Sequence, residues 1–165
     1  APPSGRYSKI ADELCELGRY GQKTGAGYYR YENGSRTPLS DPLVDDLIVR
    51  CAREAGVTRR EISDDEILKR CMYPLVNEAA KILAEGIAVR AGDVDVVWVY
   101  GYGFPAWRGG PLRWADSVGL RSIVADLEAF ERQHGAAWTP APLLRELAEN
   151  DGTFASWRPA AVAHA

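Results

Sequence analysis

Apolar residues recur three or four positions apart through most of this chain, and glycine and proline cut that recurrence into segments. Over residues 9–17, Ile10, Leu14 and Leu17 have helical spacing, and Gly18 is placed to end the helix. A second stripe, Leu43, Leu47, Ile48 and Cys51, follows Asp41 as a cap and Pro42 in the first turn, with Gly56 to close it. The longest helix opens on an S-x-x-E capping box, Ser63 with Glu66, and carries Ile67, Cys71, Leu75, Ala79, Leu83 and Ile87. Pro74 lies inside it and withholds the N–H that would bond the Arg70 carbonyl, which costs about 3 kcal/mol and predicts a kink. Further helices are expected over 111–119, 120–133 and 140–150, the last with prolines in its first turn. The tail, 155–165, reads as flexible.

One segment is in conflict. The run DVDVVWVYGYG, 93–103, is β-branched from Val94 to Val99 and resembles a buried strand, yet Val94, Val97, Trp98 and Gly101 also fit helical spacing and Asp93 can cap. No second run of comparable quality exists to pair with it, and a lone strand leaves its backbone unsatisfied, so helix is expected. The fold class is therefore all-α.

The glycine-rich run RYGQKTGAGYYRY, 19–31, raises the question of a phosphate cradle. A cradle needs glycines at fixed offsets between a strand and a helix. Here Arg30 stands three residues beyond Gly27 and a helix, not a strand, precedes the run, so a glycine-rich helix exit with a short extended piece at 28–31 is expected.

At 165 residues, 46% hydrophobic and 26% charged, the chain has the composition of a soluble globular protein with room for one core and an appendage. A net charge of −3 supplies no general attraction to phosphate backbones, so nucleic acid is not an expected partner, and no apolar run reaches a membrane span. Cys15, Cys51 and Cys71 sit in helical patterns without ligand partners at short spacing and read as buried reduced thiols; no metal site is expected. His134 stands at a helix end, where it favours the terminal carbonyls, and His164 is next to the last residue. Two such histidines supply neither a hydrolase triad nor a zinc site.

Three runs at matching separations, RYGQKTGAGYYRY, PLVNEAAKILAEG (74–86) and DVDVVWVYGYGFPAWRGGPLRWADSVGL (93–120), resemble the C-terminal helical part of 3-hydroxyacyl-CoA dehydrogenases, most of all the multifunctional β-oxidation enzymes that also carry an enoyl-CoA hydratase domain. The likeness spans about Gly18 to Asn150. It implies a helical bundle of that C-terminal-domain type, divided as the end of a first helical repeat plus connecting loop (1–40), a second repeat (41–154) and the tail (155–165). It implies that the chain is part of a longer polypeptide, partnered by an upstream dehydrogenase domain and the first repeat, with self-association when separated from them. In the family a histidine oriented by a glutamate takes the hydroxyl proton while hydride passes to NAD, and that dyad, a substrate serine and the NAD site belong to the upstream domain. The resemblance thus implies no catalytic, cofactor-binding or metal residue here, with NAD and the acyl-CoA substrate held by the parent enzyme. An active-site asparagine of the family stands in an Asn-Arg pair ahead of P-x-x-N-E-A; in KRCMYPLVNEA that place holds Lys69, which offers donors only, followed by Arg70.

Structural duties are expected of Arg70, Asn77 and Asp95, tying the long helix to the GYGFP loop, and i,i+4 pairing of Glu66 with Arg70 and Lys81 with Glu85. The competing expectation is a non-catalytic helical module binding acyl-CoA or a protein, with Lys23, Arg108 and Arg113 placed to meet a CoA phosphate. The ending AVAHA lacks an S-K-L-type address, which favours cytoplasm over peroxisome.

Overall fold

A computed structural model describes residues 7–32 and 34–159. Seven α-helices and three short 3₁₀ turns account for the regular structure among these residues, with isolated bridges and no strand. The chain divides into two compact units, Ala1–Glu61 and Ile62–Ala165. The first ends 21 residues beyond the sequence-based division at 40, because the helix after that point packs within the first unit.

In the first unit, α1 (Ile10–Glu16) and α2 (Pro42–Glu54) bury Leu14 against Val44 and Leu47. Asp41 caps α2 by accepting the Leu43 N–H at 3.1 Å, and it also receives Arg19 Nη2 at 2.5 Å. Arg19 in turn donates through Nε to the Gly27 carbonyl at 3.0 Å, so one guanidinium ties the glycine-rich run to the start of α2. That run folds on itself. The N–H groups of Gly21, Gly25 and Gly27 bond the carbonyls of Ala26, Gln22 and Tyr29, which leaves none of them facing outward for an anion. The expected extended piece amounts to single bridges, Ala26 with Arg30 and Arg30 with Leu39.

The second unit holds α3 (Asp64–Ala84), α4 (Ala91–Tyr102), α5 (Pro111–Val118), α6 (Leu120–His134) and α7 (Pro142–Glu149) around one core. Ser63 caps α3 by accepting the Glu66 N–H at 3.2 Å. Val76, Ala80 and Leu83 of α3, Leu112 and Ala115 of α5, Ile123 and Leu127 of α6 and Leu144 of α7 are at most 1% exposed. Each Leu or Ile so buried is worth roughly 1.5–3 kcal/mol relative to exposure.

The buried face of α3 is not the predicted stripe. Steps of four residues advance about 40° beyond a full turn, so 67, 71, 75, 79, 83 and 87 wind around the helix rather than along one side. Accordingly Ile67 and Ile87 are exposed and Cys71 with them, while Tyr73, Val76, Asn77 and Ala80 join Ala79 and Leu83 inside. Cys15 is exposed as well, contrary to expectation, and Cys51 is half-buried; all three thiols are free. Pro74 is accommodated inside an α3 that runs as one helix.

The segment 93–103 is helical as expected, although Asp93 lies in the first turn beside Arg90, 2.7 Å away, and does not cap it. Residues 155–157, placed in the tail by the sequence, are held: the N–H groups of Phe154 and Ala155 donate to Asp116 at 2.8 and 3.1 Å, and Trp157 packs on the core. His164 and the rest of the tail beyond 159 fall outside the described residues.

Candidate functional site

Most of the second unit's polar side chains with long-range partners connect one helix to the start or end of another. Asn77, 3% exposed and on the inner face of α3, donates Nδ2 to the Thr139 carbonyl at 2.9 Å and accepts the Ala141 N–H on Oδ1 at 2.7 Å. Ala141 is the residue before α7, and its own side chain offers no cap, so a side chain 64 positions upstream fixes where α7 begins. Asp95 of α4 does the same for α5: its carboxylate accepts the N–H groups of Leu112 at 2.8 Å and Arg113 at 3.2 Å, where Gly110 contributes no side chain. A Cβ on Gly110 would stand 2.4 Å from that of Asp95, and the glycine has φ +109, so the close approach and the backbone both demand glycine. Burial is the largest influence on Asp95 and raises its carboxyl above the ordinary aspartate value, against the lowering effect of the two N–H donors.

Arg70 sits at the other end of α3. Its Nε meets Glu66 at 2.8 Å, its Nη2 donates to His134 Nε2 at 2.7 Å, and its guanidinium lies 5.2 Å from the Phe130 ring centre. His134, the last residue of α6, therefore serves as an acceptor for Arg70. Thus Asn77 and Arg70 act on the α6–α7 connection and on the end of α6, and Asp95 acts on α5; the expected attachment of all three to the 101–105 loop is not what the geometry gives. Of the two predicted helical pairs, Glu66 with Arg70 forms, while Lys81 turns to Glu78 at 3.0 Å.

Lys69 spans two helices. Its ammonium reaches Asp65 at 3.0 Å and Asp126 of α6 at 3.2 Å, and these carboxylates hold it protonated well above the usual lysine range. Next to it Tyr73 is 2% exposed, and burial, with Asp126 adding to it, pushes its hydroxyl up. A lysine locked between two carboxylates is neither a general base nor a nucleophile at neutral pH. Spacing gave no hint of Asp126 or Asp116 as partners, since each works across 38 or more residues, or across helices, from an ordinary surface-like sequence position.

Among the cations expected to face a phosphate, Lys23 lies 5.4 Å over the Tyr20 ring in the first unit, and Arg108 lies 4.2 Å over Trp107 in the second. No group of three His, Cys, Asp or Glu among the described residues is arranged to hold a metal ion, and no helix among them is long and apolar enough to cross a membrane.

An apolar surface is left exposed on α4. Its inner side buries Ala91 and Val94, and Trp98 packs on the core. Its outer side carries Val96, Val97 and Tyr100, 57%, 56% and 87% exposed, at i, i+1 and i+4 and hence on one face. Apart from Asp93 and Asp95, α4 is apolar on its inner and outer sides alike, a pattern ordinarily found in helices that lie between two layers. Trp107, on the turn after α4, is 78% exposed.

Comparison with known proteins gives the relatives of this arrangement. Residues 67–153 match the family described as 3-hydroxyacyl-CoA dehydrogenase, C-terminal domain. The chain is 45% identical over 130 residues to the peroxisomal bifunctional enzyme of Homo sapiens, covering 78% of this chain and 18% of that protein. It is 38% identical over 146 residues to the fatty acid oxidation complex subunit alpha of Pseudomonas syringae pv. tomato, covering 87% and 20%. Among solved structures it is similar to the dehydrogenase part of multifunctional enzyme 1 from C. elegans, with a TM-score of 0.63 and 27% identity over 86% of this chain and 33% of that one. The chain therefore spans about a fifth of the length of these curated relatives.

Proposed function

Because the chain belongs to the family of 3-hydroxyacyl-CoA dehydrogenase C-terminal domains, we propose that it is the structural, dimerisation-type helical part of an NAD-dependent dehydrogenase of fatty-acid β-oxidation, and that its task is to dock. The parent we propose oxidises 3-hydroxyacyl-CoA to 3-ketoacyl-CoA with NAD and also carries an enoyl-CoA hydratase part; that the relatives are bifunctional and multifunctional enzymes of fatty-acid oxidation supports this reading. The proton-abstracting dyad, the substrate and the NAD belong to the upstream dehydrogenase domain; this chain supplies no group to the chemistry and binds no cofactor.

The observation that carries the reading is the exposed Val96, Val97 and Tyr100 face of α4. Burying about two valines and a tyrosine from water is worth several kcal/mol at roughly 25 cal/mol per Å², enough to repay part of the cost of association. The lysine in the asparagine position supports the same reading: Lys69 is consumed by Asp65 and Asp126 as a tether between α3 and α6, which suits a scaffold and not a reaction centre. The sequence-based division, first repeat to residue 40 and second repeat from 41 to 154, is retained as a proposal about ancestry, distinct from the compact units. The proposed compartment is the cytoplasm, with the peroxisome of the human relative as the alternative.

Sedimentation of the chain tests this. It should self-associate with rising concentration, and Val97→Asp with Tyr100→Asp should leave a monomer with unchanged helix content. An upstream dehydrogenase part added in trans should compete with self-association. A wild-type chain that stays monomeric and ignores that partner would refute the docking role, and turnover of acetoacetyl-CoA with NADH by the chain alone would refute the division of labour.

A further inference from the structure

The first unit holds a cavity that the docking role does not use. It has a volume of about 400 Å³ and lies between α1 and α2, walled by Ile10, Ile48, Ala52 and Val57. Drug-sized ligands occupy clefts of about this size, usually apolar with a few polar groups that orient the ligand. Here the charged groups are two cations and one carboxylate. Lys9 and Arg59 line the cavity, and among the described residues neither is in an ion pair; the one lining carboxylate, Glu54, is drawn to Arg50 at 3.6 Å. Cys51 also lines it, but its thiol donates to Glu13 at 3.5 Å and burial pushes that thiol up, so it stays a neutral part of the wall.

Apolar walls, an Arg59 in no ion pair among the described residues, and a Lys9 that feels only the Glu13 carboxylate at a distance match one ligand chemistry. We propose that this cavity binds a small amphipathic anion: an apolar body seated on Ile10, Ile48, Ala52 and Val57, with a single carboxylate or similar group held by Arg59 and Lys9. An uncharged apolar molecule gains only the burial, whereas the anion adds a charge-assisted hydrogen bond to a guanidinium whose planar fork suits a carboxylate. A cation of the same length meets two like charges. No residue of the second unit is involved, so this inference stands or falls apart from the docking of α4.

The test uses the 165-residue chain, followed by amide NMR, with three probes of equal length: octanoate, 1-octanol and octylammonium. Octanoate should saturably shift the signals of Ile10, Ile48, Ala52 and Val57 and bind about tenfold more tightly than octanol, the ratio that one charge-assisted contact supports. Octylammonium should bind more weakly than either. Arg59→Gln should reduce the preference for octanoate over octanol, and Arg59→Gln with Lys9→Gln should remove it, neither moving the free-protein signals of the second unit. Ala52→Leu keeps a good helix former in α2 and fills the cavity, and should abolish all binding. Equal affinity for octanoate and octanol, shifts confined to α4 around Val96 and Tyr100, or no saturation with octanoate would each overturn the proposal.

Discussion

Replacing Asn77 with alanine removes the side chain that joins α3 to the start of α7. Two hydrogen bonds go with it, Nδ2 to the Thr139 carbonyl at 2.9 Å and the Ala141 N–H to Oδ1 at 2.7 Å. Each is worth about 1 kcal/mol net, but the larger cost is what remains: Ala141 is 2% exposed, and its N–H would be left buried without an acceptor, a penalty of roughly 1–3 kcal/mol. The sum is about 3–5 kcal/mol, which for a unit of this size lowers the melting temperature by about 15–30 °C. All five tryptophans, Trp98, Trp107, Trp114, Trp138 and Trp157, lie in the second unit, so tryptophan fluorescence during urea or thermal unfolding reports on that unit alone. Asn77→Asp separates the two bonds, since it keeps an acceptor for Ala141 but points an oxygen at the Thr139 carbonyl. It should be at least as unstable as the alanine variant at neutral pH. A loss below about 0.5 kcal/mol for Asn77→Ala would refute the reasoning, because one buried and one part-buried bond cannot be removed at so small a cost unless they are absent.

Three further outcomes follow from the same geometry. Gly110→Ala should destabilise the second unit by several kcal/mol, since it combines a disfavoured backbone at φ +109 with a Cβ 2.4 Å from that of Asp95; soluble protein with a wild-type melting temperature would contradict the packing. Asp95 has a raised folded-state value, so its contribution is fully present below its unfolded value and is lost as pH rises through the folded one. The stability difference between wild type and Asp95→Asn should therefore shrink as pH rises from about 4, the unfolded aspartate value, and a difference that grows over that window would reverse the sign of the burial effect. Lys69→Met should loosen α6 from α3 by leaving Asp126 beside the buried Tyr73 without its cation; hydrogen exchange at unchanged rates in α6 would show that the tether carries nothing.

Periodicity and capping residues were enough to place the helices, because those signals are local. Asp41 and Ser63 cap as their positions demand, and Pro111 and Pro142 open their helices as first-turn prolines should. The helical assignment of 93–103 came from elimination: a β-branched run with no partner strand has nowhere to send its backbone hydrogen bonds except along itself. The family, too, was readable in the three runs quoted above.

What the chain's local pattern could not reveal is which side of α3 is inside, because a step of four drifts and only the neighbouring helices select the buried face. Nor could it reveal the partners of the polar residues. Asp95 caps α5, Asn77 sets the start of α7, Asp116 holds 154–155 and Lys69 spans to Asp126, each across a sequence distance over which propensity and spacing carry no information. Sequence determined the elements, since each helix forms from hydrogen bonds within itself. Tertiary structure decided their connections, since a helix end that lacks its own cap must find an acceptor or donor wherever packing brings one.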